Sequence, residues 1–222
     1  MIVPSDPDYI DTKLVKKGSE QVDRVFQELA NWITQQFDTK VLNIFYDKID
    51  TDKNRPRLNI IFEFETEKTK FIDSNGNFDS LKQKLIADKF IEILKNKFPT
   101  KKFDTERLFV IFSAFEPVAR IEAVWSIPKK EIDRLKKELH SKNVWEIYND
   151  FELTTIFFYS EKQIGEYTNN GTVALIKDKF LKVLKKYDEF DYIKETTAFI
   201  AYDSKEKFDD YYQGNWFYYY KR

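Results

Sequence analysis

Eleven residues, Leu85-Ile86-Ala87-Asp88-Lys89-Phe90-Ile91-Glu92-Ile93-Leu94-Lys95, return ninety positions later as Leu175-Ile176-Lys177-Asp178-Lys179-Phe180-Leu181-Lys182-Val183-Leu184-Lys185. Seven letters are identical, and Ile91/Leu181 and Ile93/Val183 exchange one branched aliphatic side chain for another. A repeat of this length marks an internal duplication, so the chain must fold into two units built alike. The spacing of Ile86, Phe90, Ile93 and Leu94, matched by Ile176, Phe180, Val183 and Leu184, predicts one buried helical face in each unit.

The likeness extends in both directions. Val22, Val25, Phe26, Leu29, Trp32 and Ile33 fall at helical spacing after Ser19, and Ile132, Leu135 and Leu139 do so after Pro128. Val22-Asp23-Arg24-Val25 matches Ile132-Asp133-Arg134-Leu135 in letters. Two β-rich runs follow: Val41–Tyr46 lines up with Val144–Tyr148, and Leu58–Phe62 with Leu153–Phe157. Asn75-Gly76 and Asn170-Gly171 read as tight turns. After the repeated helix come Leu108–Phe112 and Ala198–Tyr202, then a last run ending near Trp125 and Trp216. Each copy therefore reads helix, strand, strand, helix, strand, strand, with short loops that imply antiparallel hairpins. The expected fold class is α+β: two tandem α-β-β-α-β-β repeats, each an antiparallel sheet covered by two helices, packed as a pseudo-twofold body. The expected divisions are an N-terminal arm over 1–18, a first repeat over 19–127 and a second over 128–222.

Composition removes several functions. Lys and Arg number 37 against 38 Asp and Glu, so no net field draws the chain to nucleic acid or to an anionic membrane. Cysteine is absent, which removes disulfides, thiolate catalysis and Cys-based metal sites. No apolar run is long enough to span a bilayer, and the first residues lack a signal-peptide pattern, so the expected location is the cytoplasm. The single histidine, His140, sits where a helix C-terminus favours a cation and reads as structural or solvated. No catalytic residue, metal site or cofactor is expected, and the chain reads as a non-enzyme.

Three places could carry function. Glu63, Glu65 and Glu67 alternate with Phe62, Phe64 and Thr66, which on a strand puts the three carboxylates on one face. That stripe is either a solvated sheet surface or an acidic strip offered to a basic partner, with carboxylates standing in for phosphates. The loop Asp50–Arg57, longer than its counterpart and carrying Arg55, is the main asymmetry between the copies. The tail ends Tyr211-Tyr212-Gln213-Gly214-Asn215-Trp216-Phe217-Tyr218-Tyr219-Tyr220. Read as a strand, it places Tyr218 and Tyr220 beside Trp216 on one face. Aromatic residues on both faces fit a half-buried edge, a protein interface or, without a basic surplus, base stacking.

The order helix, hairpin, helix, hairpin, together with Ser204-Lys205-Glu206 and Gln213-Gly214-Asn215-Trp216-Phe217-Tyr218-Tyr219-Tyr220, resembles the YezG-like immunity proteins of bacterial polymorphic toxin systems. This chain holds the unit twice. The resemblance implies a non-enzymatic cytoplasmic inhibitor that binds a cognate protein toxin, a nuclease among the possibilities. Expected contacts are Glu63, Glu65, Glu67, Arg55, Tyr211, Tyr212, Tyr218 and Tyr220. The competing expectation is a structural or adaptor protein acting as a homodimer. A carboxylate-dependent enzyme would instead require two close acids in a concave pocket.

Overall fold

The repeated helix and the strands around it assemble into an α+β chain with two similar halves. The computed structural model describes residues 3–49, 52 and 54–221, which divide into two compact units, 1–118 and 119–222. The first unit contains α1 (Pro7–Lys16), α2 (Arg24–Phe37), β1 (Val41–Ile49), β2 (Arg55–Phe62), α3 (Glu65–Lys68), α4 (Ser80–Lys97) and β3 (Phe109–Ala114), and α5 (Phe115–Trp125) begins in it. The second contains α6 (Lys129–Leu139), β4 (Val144–Asp150), β5 (Leu153–Phe158), α7 (Glu161–Asn169), α8 (Thr172–Leu184), β6 (Phe199–Ser204), α9 (Lys205–Tyr212) and α10 (Trp216–Tyr220). The division falls inside α5, between Val118 and Ala119, earlier than the expected boundary at 127.

Each unit has one three-stranded sheet, in the orders β1-β2-β3 and β4-β5-β6. The first two strands of each are antiparallel, as expected of a hairpin. The third is parallel to the second, which corrects the wholly antiparallel sheet. The repeated helix lies between second and third strands, so the connection is a crossover long enough to bring the chain back in the same direction. The last expected strand is also absent from both units: α5 occupies one position, and α9 with α10 the other. In α5 the buried Val118, Ile121 and Val124 follow helical spacing, and Pro117 sits in the first turn.

Strand pairing also resets the match between copies. Val41 pairs with Phe62 and Val144 with Phe158, so Phe62 corresponds to Phe158 and not to Phe157. A one-residue slip exchanges the two faces of a strand, so the correction decides which side chains are comparable. Both first strands carry a bulge, at Val41/Asn43 and Val144/Glu146, and each is braced alike. The Ile44 N–H donates to Asn43 Oδ1, and the Ile147 N–H to Glu146 Oε1. The letter match around Asp23 and Asp133 has no structural counterpart: Asp23 caps α2, accepting from the Val25 N–H, while Asp133 lies inside α6. In the two turns only the glycines, Gly76 and Gly171, take positive φ, at 81° each.

The predicted helical face is buried. Ile86, Phe90, Ile93 and Leu94 meet α2, Leu58, Ile60, Phe62 and Phe112 in one core. Ile176, Phe180, Val183 and Leu184 meet Leu135, Leu139, Ile156 and Phe158 in the other. Phe90 and Phe180 are fully buried, each contributing about 1.5–3 kcal/mol from removal of the ring from water. The opposite sheet faces are covered too. Residues 7–16, expected as part of an arm, form a helix whose Asp8, Tyr9 and Thr12 are buried. Tyr9 stacks on Phe115 at 4.9 Å.

Candidate binding surface

The three glutamates do not form a stripe. The pairing of β2 ends at Phe62, and the chain turns into α3 at Glu65. Glu63 is engaged by Lys16 of α1 at 2.6 Å, and Glu65 by Lys68 at 2.8 Å. Glu67 accepts from the backbone N–H groups of Lys40 (3.0 Å) and Phe64 (3.2 Å), which closes the start of α3. Gln163 does the same for α7, accepting from the Ser160 N–H at 3.0 Å. Glu67 is thus one of a matched pair of capping residues, and its carboxylate is held by the fold.

Arg55 opens β2 at one end of the first sheet. Its Nε donates to the Arg107 carbonyl at 2.9 Å, and its guanidinium lies 4.5 Å over the Phe109 ring. Arg57 beside it grips Asp47 with both arms, at 2.8 Å through Nε, and this pairing holds the guanidinium above its ordinary range. Charge therefore covers the apolar end of this sheet. Of the loop that carries Arg55, Asp50, Thr51 and Lys53 lie outside the described residues.

The tyrosine-rich tail is two short helices and not a strand. Ser204 caps α9 by accepting from the Lys207 N–H, and Asn215 caps α10 by accepting from the Phe217 N–H. Trp216 stacks on Tyr148 of β4 at 4.9 Å, and Tyr220 stacks on Tyr148 at 4.6 Å. The Tyr219 hydroxyl, which sequence reasoning did not single out, donates to Asp203 at 2.6 Å. Burial pushes the Tyr220 phenol well above its usual range. Tyr212 packs edge-on to Tyr219 at 4.9 Å. Only Tyr211 and Tyr218 among the four tyrosines expected as contacts are exposed, with Phe217 beside them. Trp216 and Tyr220 therefore act as sheet cover, while Tyr211 and Tyr218 face outward.

The expected contacts are divided between the units: Glu63, Glu65, Glu67 and Arg55 belong to the first and the tyrosines to the second. A different group does converge. Trp125, Phe151, Leu153 and Phe199 are each 39–50% exposed and gather at one end of the second sheet. The Trp125 and Phe151 rings lie 5.7 Å apart, and Leu153 and Phe199 are register partners on β5 and β6. The charges among them are Arg120 and Glu152, 3.3 Å apart, with the Arg120 guanidinium 5.5 Å from the Phe199 ring. Phe199 corresponds to Phe109 and Leu153 to Arg57 by strand register. The first unit places Arg55 and Arg57 at this end; the second has Arg120 against Phe199 and leaves four apolar side chains exposed. Leu153 and Phe199 fall in the runs read as strands from the sequence, but nothing local shows that Phe151, in a tight turn with φ 49°, meets Trp125 from a helix.

Among the described residues no group of three or more His, Asp or Glu side chains is arranged to hold a metal ion, and no helix is long and apolar enough to cross a membrane. His140 is exposed at the C-terminus of α6. What the fold and this surface define is an α+β chain of two similar halves with an apolar face at one sheet end. Compared with protein-family models, curated proteins and solved structures, the chain finds no match in any of the three.

Proposed function

We propose that this protein acts by binding another protein, and that it is a cytoplasmic immunity protein whose partner is a toxin domain, as the resemblance of its tail to YezG-like proteins implies. The observation that supports binding is the exposed apolar group Trp125, Phe151, Leu153 and Phe199. Contiguous apolar side chains rimmed by polar ones are the usual mark of a protein contact, and aromatic anchors there carry most of the affinity. Tyr211, Phe217 and Tyr218 supply a second set of outward aromatic rings on the same unit.

The test is co-expression with the product of the neighbouring open reading frame, together with calorimetry on the purified pair. The wild-type chain should protect growth and bind. The double variant Phe151→Ser, Phe199→Ser should bind at least about thirtyfold more weakly while keeping its circular dichroism spectrum, since lost hot spots cost about 2 kcal/mol or more. Absence of binding and protection by the wild-type chain would sink the immunity reading. A wild-type homodimer in sedimentation equilibrium that the double variant dissociates would instead favour the adaptor reading.

A further inference from the structure

The helical faces of the two units differ where their letters agree. Lys89 and Lys179 are matching positions of the repeated helix, yet Lys89 lies 5.8 Å over the ring of Trp32, and Lys179 pairs with Glu138. Trp32 sits three residues after buried Leu29 on α2, and Glu138 three after buried Leu135 on α6, so a carboxylate stands where the first copy has an indole. The first copy fills this place further: Phe26 stacks on Phe90 at 6.0 Å, while the second has Ile132 packed against its core. An open cleft of about 360 Å³ lies at this place, between α6 and α8, with Glu138 on its lining.

The cleft has an apolar floor and a basic rim. Leu135 and Val183 are buried beneath it, and Leu175 is half-exposed at its edge. Arg134, Lys179, Lys182 and Lys186 line it against Glu138 and Asp178. The bias extends beyond the rim: α6 carries five Lys/Arg against three Asp/Glu, and α8 three against one, in a chain that is balanced only as a whole. Lys136 and Lys177 are matched by Glu146 and Glu195 from neighbouring segments, but Lys185 and Lys186 follow α8 directly. Lys182–Asp178 joins two exposed side chains, and such a pair exchanges partners at little cost, while Arg134 and Lys186 share the one half-buried carboxylate of Glu131, so the four rim cations face three carboxylates.

We propose that the α6–α8 cleft of the second unit is a docking groove for an acidic amphipathic helix of a partner protein. Two or three apolar side chains of such a helix fill a volume of this size, at the small end of ligand sites. Its carboxylates meet the surplus cations, and the helix lies along the groove as helix-in-groove recognition requires. An apolar floor favours a peptide over the uniform phosphate track of a nucleic acid, which needs basic groups without apolar anchors. This surface is separate from the apolar sheet end and stands whether or not the partner is a toxin.

The experiment uses the full chain and a fluorescein-labelled peptide of repeating Glu-Glu-Leu-Leu, read by anisotropy. A peptide with Lys in place of Glu serves as the charge control, and a double-stranded DNA oligonucleotide as competitor. The acidic peptide should bind, and Lys182→Glu with Lys186→Glu should weaken it about tenfold or more. Raising salt from about 50 mM to about 300 mM should weaken it as well. Glu138→Trp, which restores the side chain of the first copy, should block the cleft even though it removes a carboxylate and leaves the rim more cationic. Equal binding of the Lys peptide, no binding of the acidic one, insensitivity to Glu138→Trp, or displacement by DNA would each overturn the proposal.

Discussion

In the first unit a helix from the start of the chain lies on the sheet face away from the repeated helix; in the second unit the helices there come from the end of the chain. The first face is closed with polar groups. Asn59 donates to the Asp8 carboxylate at 2.7 Å and accepts from the Ser113 hydroxyl at 2.7 Å. Asn43 donates to Thr12 at 3.1 Å, and Thr12 to the Asp8 carbonyl at 2.6 Å. The second face is closed with rings: Phe157 is edge-on to Trp145, Trp216 and Tyr219, and Trp216 packs on Phe208 at 4.3 Å. At corresponding positions Asn59 stands against Thr155, Ser113 against Asp203 and Ile61 against Phe157, so the strands keep polar residues at two places and the second unit adds a ring at the third. The duplicated unit thus specifies one core, between helices and sheet, and leaves its other sheet face to be covered by whatever segment the chain supplies. A polar network needs every partner present, whereas a ring stack tolerates one polar loss but not a void.

Several measurements would break or sharpen this contrast. The largest effect is expected on the aromatic side: Phe157→Ala opens a void among four rings and should cost about 3–5 kcal/mol in urea unfolding. A loss under 1.5 kcal/mol would mean that α10 does not seal this face. On the polar side, Asn59→Leu strands the buried Asp8 carboxylate and the Ser113 hydroxyl and should cost about 2–3 kcal/mol. If the variant were as stable as wild type, the network would be dispensable and the two faces energetically alike. Tyr219→Phe removes one donor from Asp203, which keeps Lys207 at 3.3 Å and the Ser204 N–H. Its cost should be smaller, about 1.5 kcal/mol, with the near-ultraviolet signal of the stack retained.

The Asp8 carboxyl gives a pH signature. Burial raises it above its ordinary 3.8, the Asn59 and Tyr9 hydrogen bonds only partly offsetting that. A carboxyl raised in the folded state binds its proton more tightly there than in the unfolded chain. This group's contribution is therefore most favourable at low pH and is lost as pH climbs from 3.8 through the raised value. Relative to wild type, Asp8→Asn should accordingly gain stability with rising pH over that interval and level off above it. A flat difference would place Asp8 in contact with water. The smallest effect is at the helix starts. Asp23 caps α2 through the Val25 N–H, and its bonds with Lys101 and that N–H hold the carboxyl below its usual range. Pro128 begins α6 without a side-chain cap. Asp23→Ala should cost about 1 kcal/mol or less at so exposed a position, read from the unfolding midpoint.

Local pattern was enough for the duplication, the buried helical faces and the first two strands of each sheet, because those depend on spacing within a single element. Ile86, Phe90, Ile93 and Leu94 are buried where their period of 3.6 places them. The candidate contacts fared differently. Glu63-Phe64-Glu65-Thr66-Glu67 alternates as a strand does, but a strand continues only as far as its partner, and pairing stops where Val41 meets Phe62. Glu67 then closes a helix through the Phe64 N–H, a contact that alternation cannot encode. The tail has no period at all; its helices are held by Trp145, Tyr148 and Phe157, residues distant in sequence and brought beneath them by the sheet.

What the amino-acid order determined by itself was therefore the repeat and the core it builds, since apolar periodicity is a property of neighbours along the chain. Tertiary structure alone decided the direction of the third strand, the cover on each second sheet face, the convergence of Trp125, Phe151, Leu153 and Phe199, and the cleft between α6 and α8. Each of those depends on which distant side chains meet, and meeting is settled by packing and not by spacing.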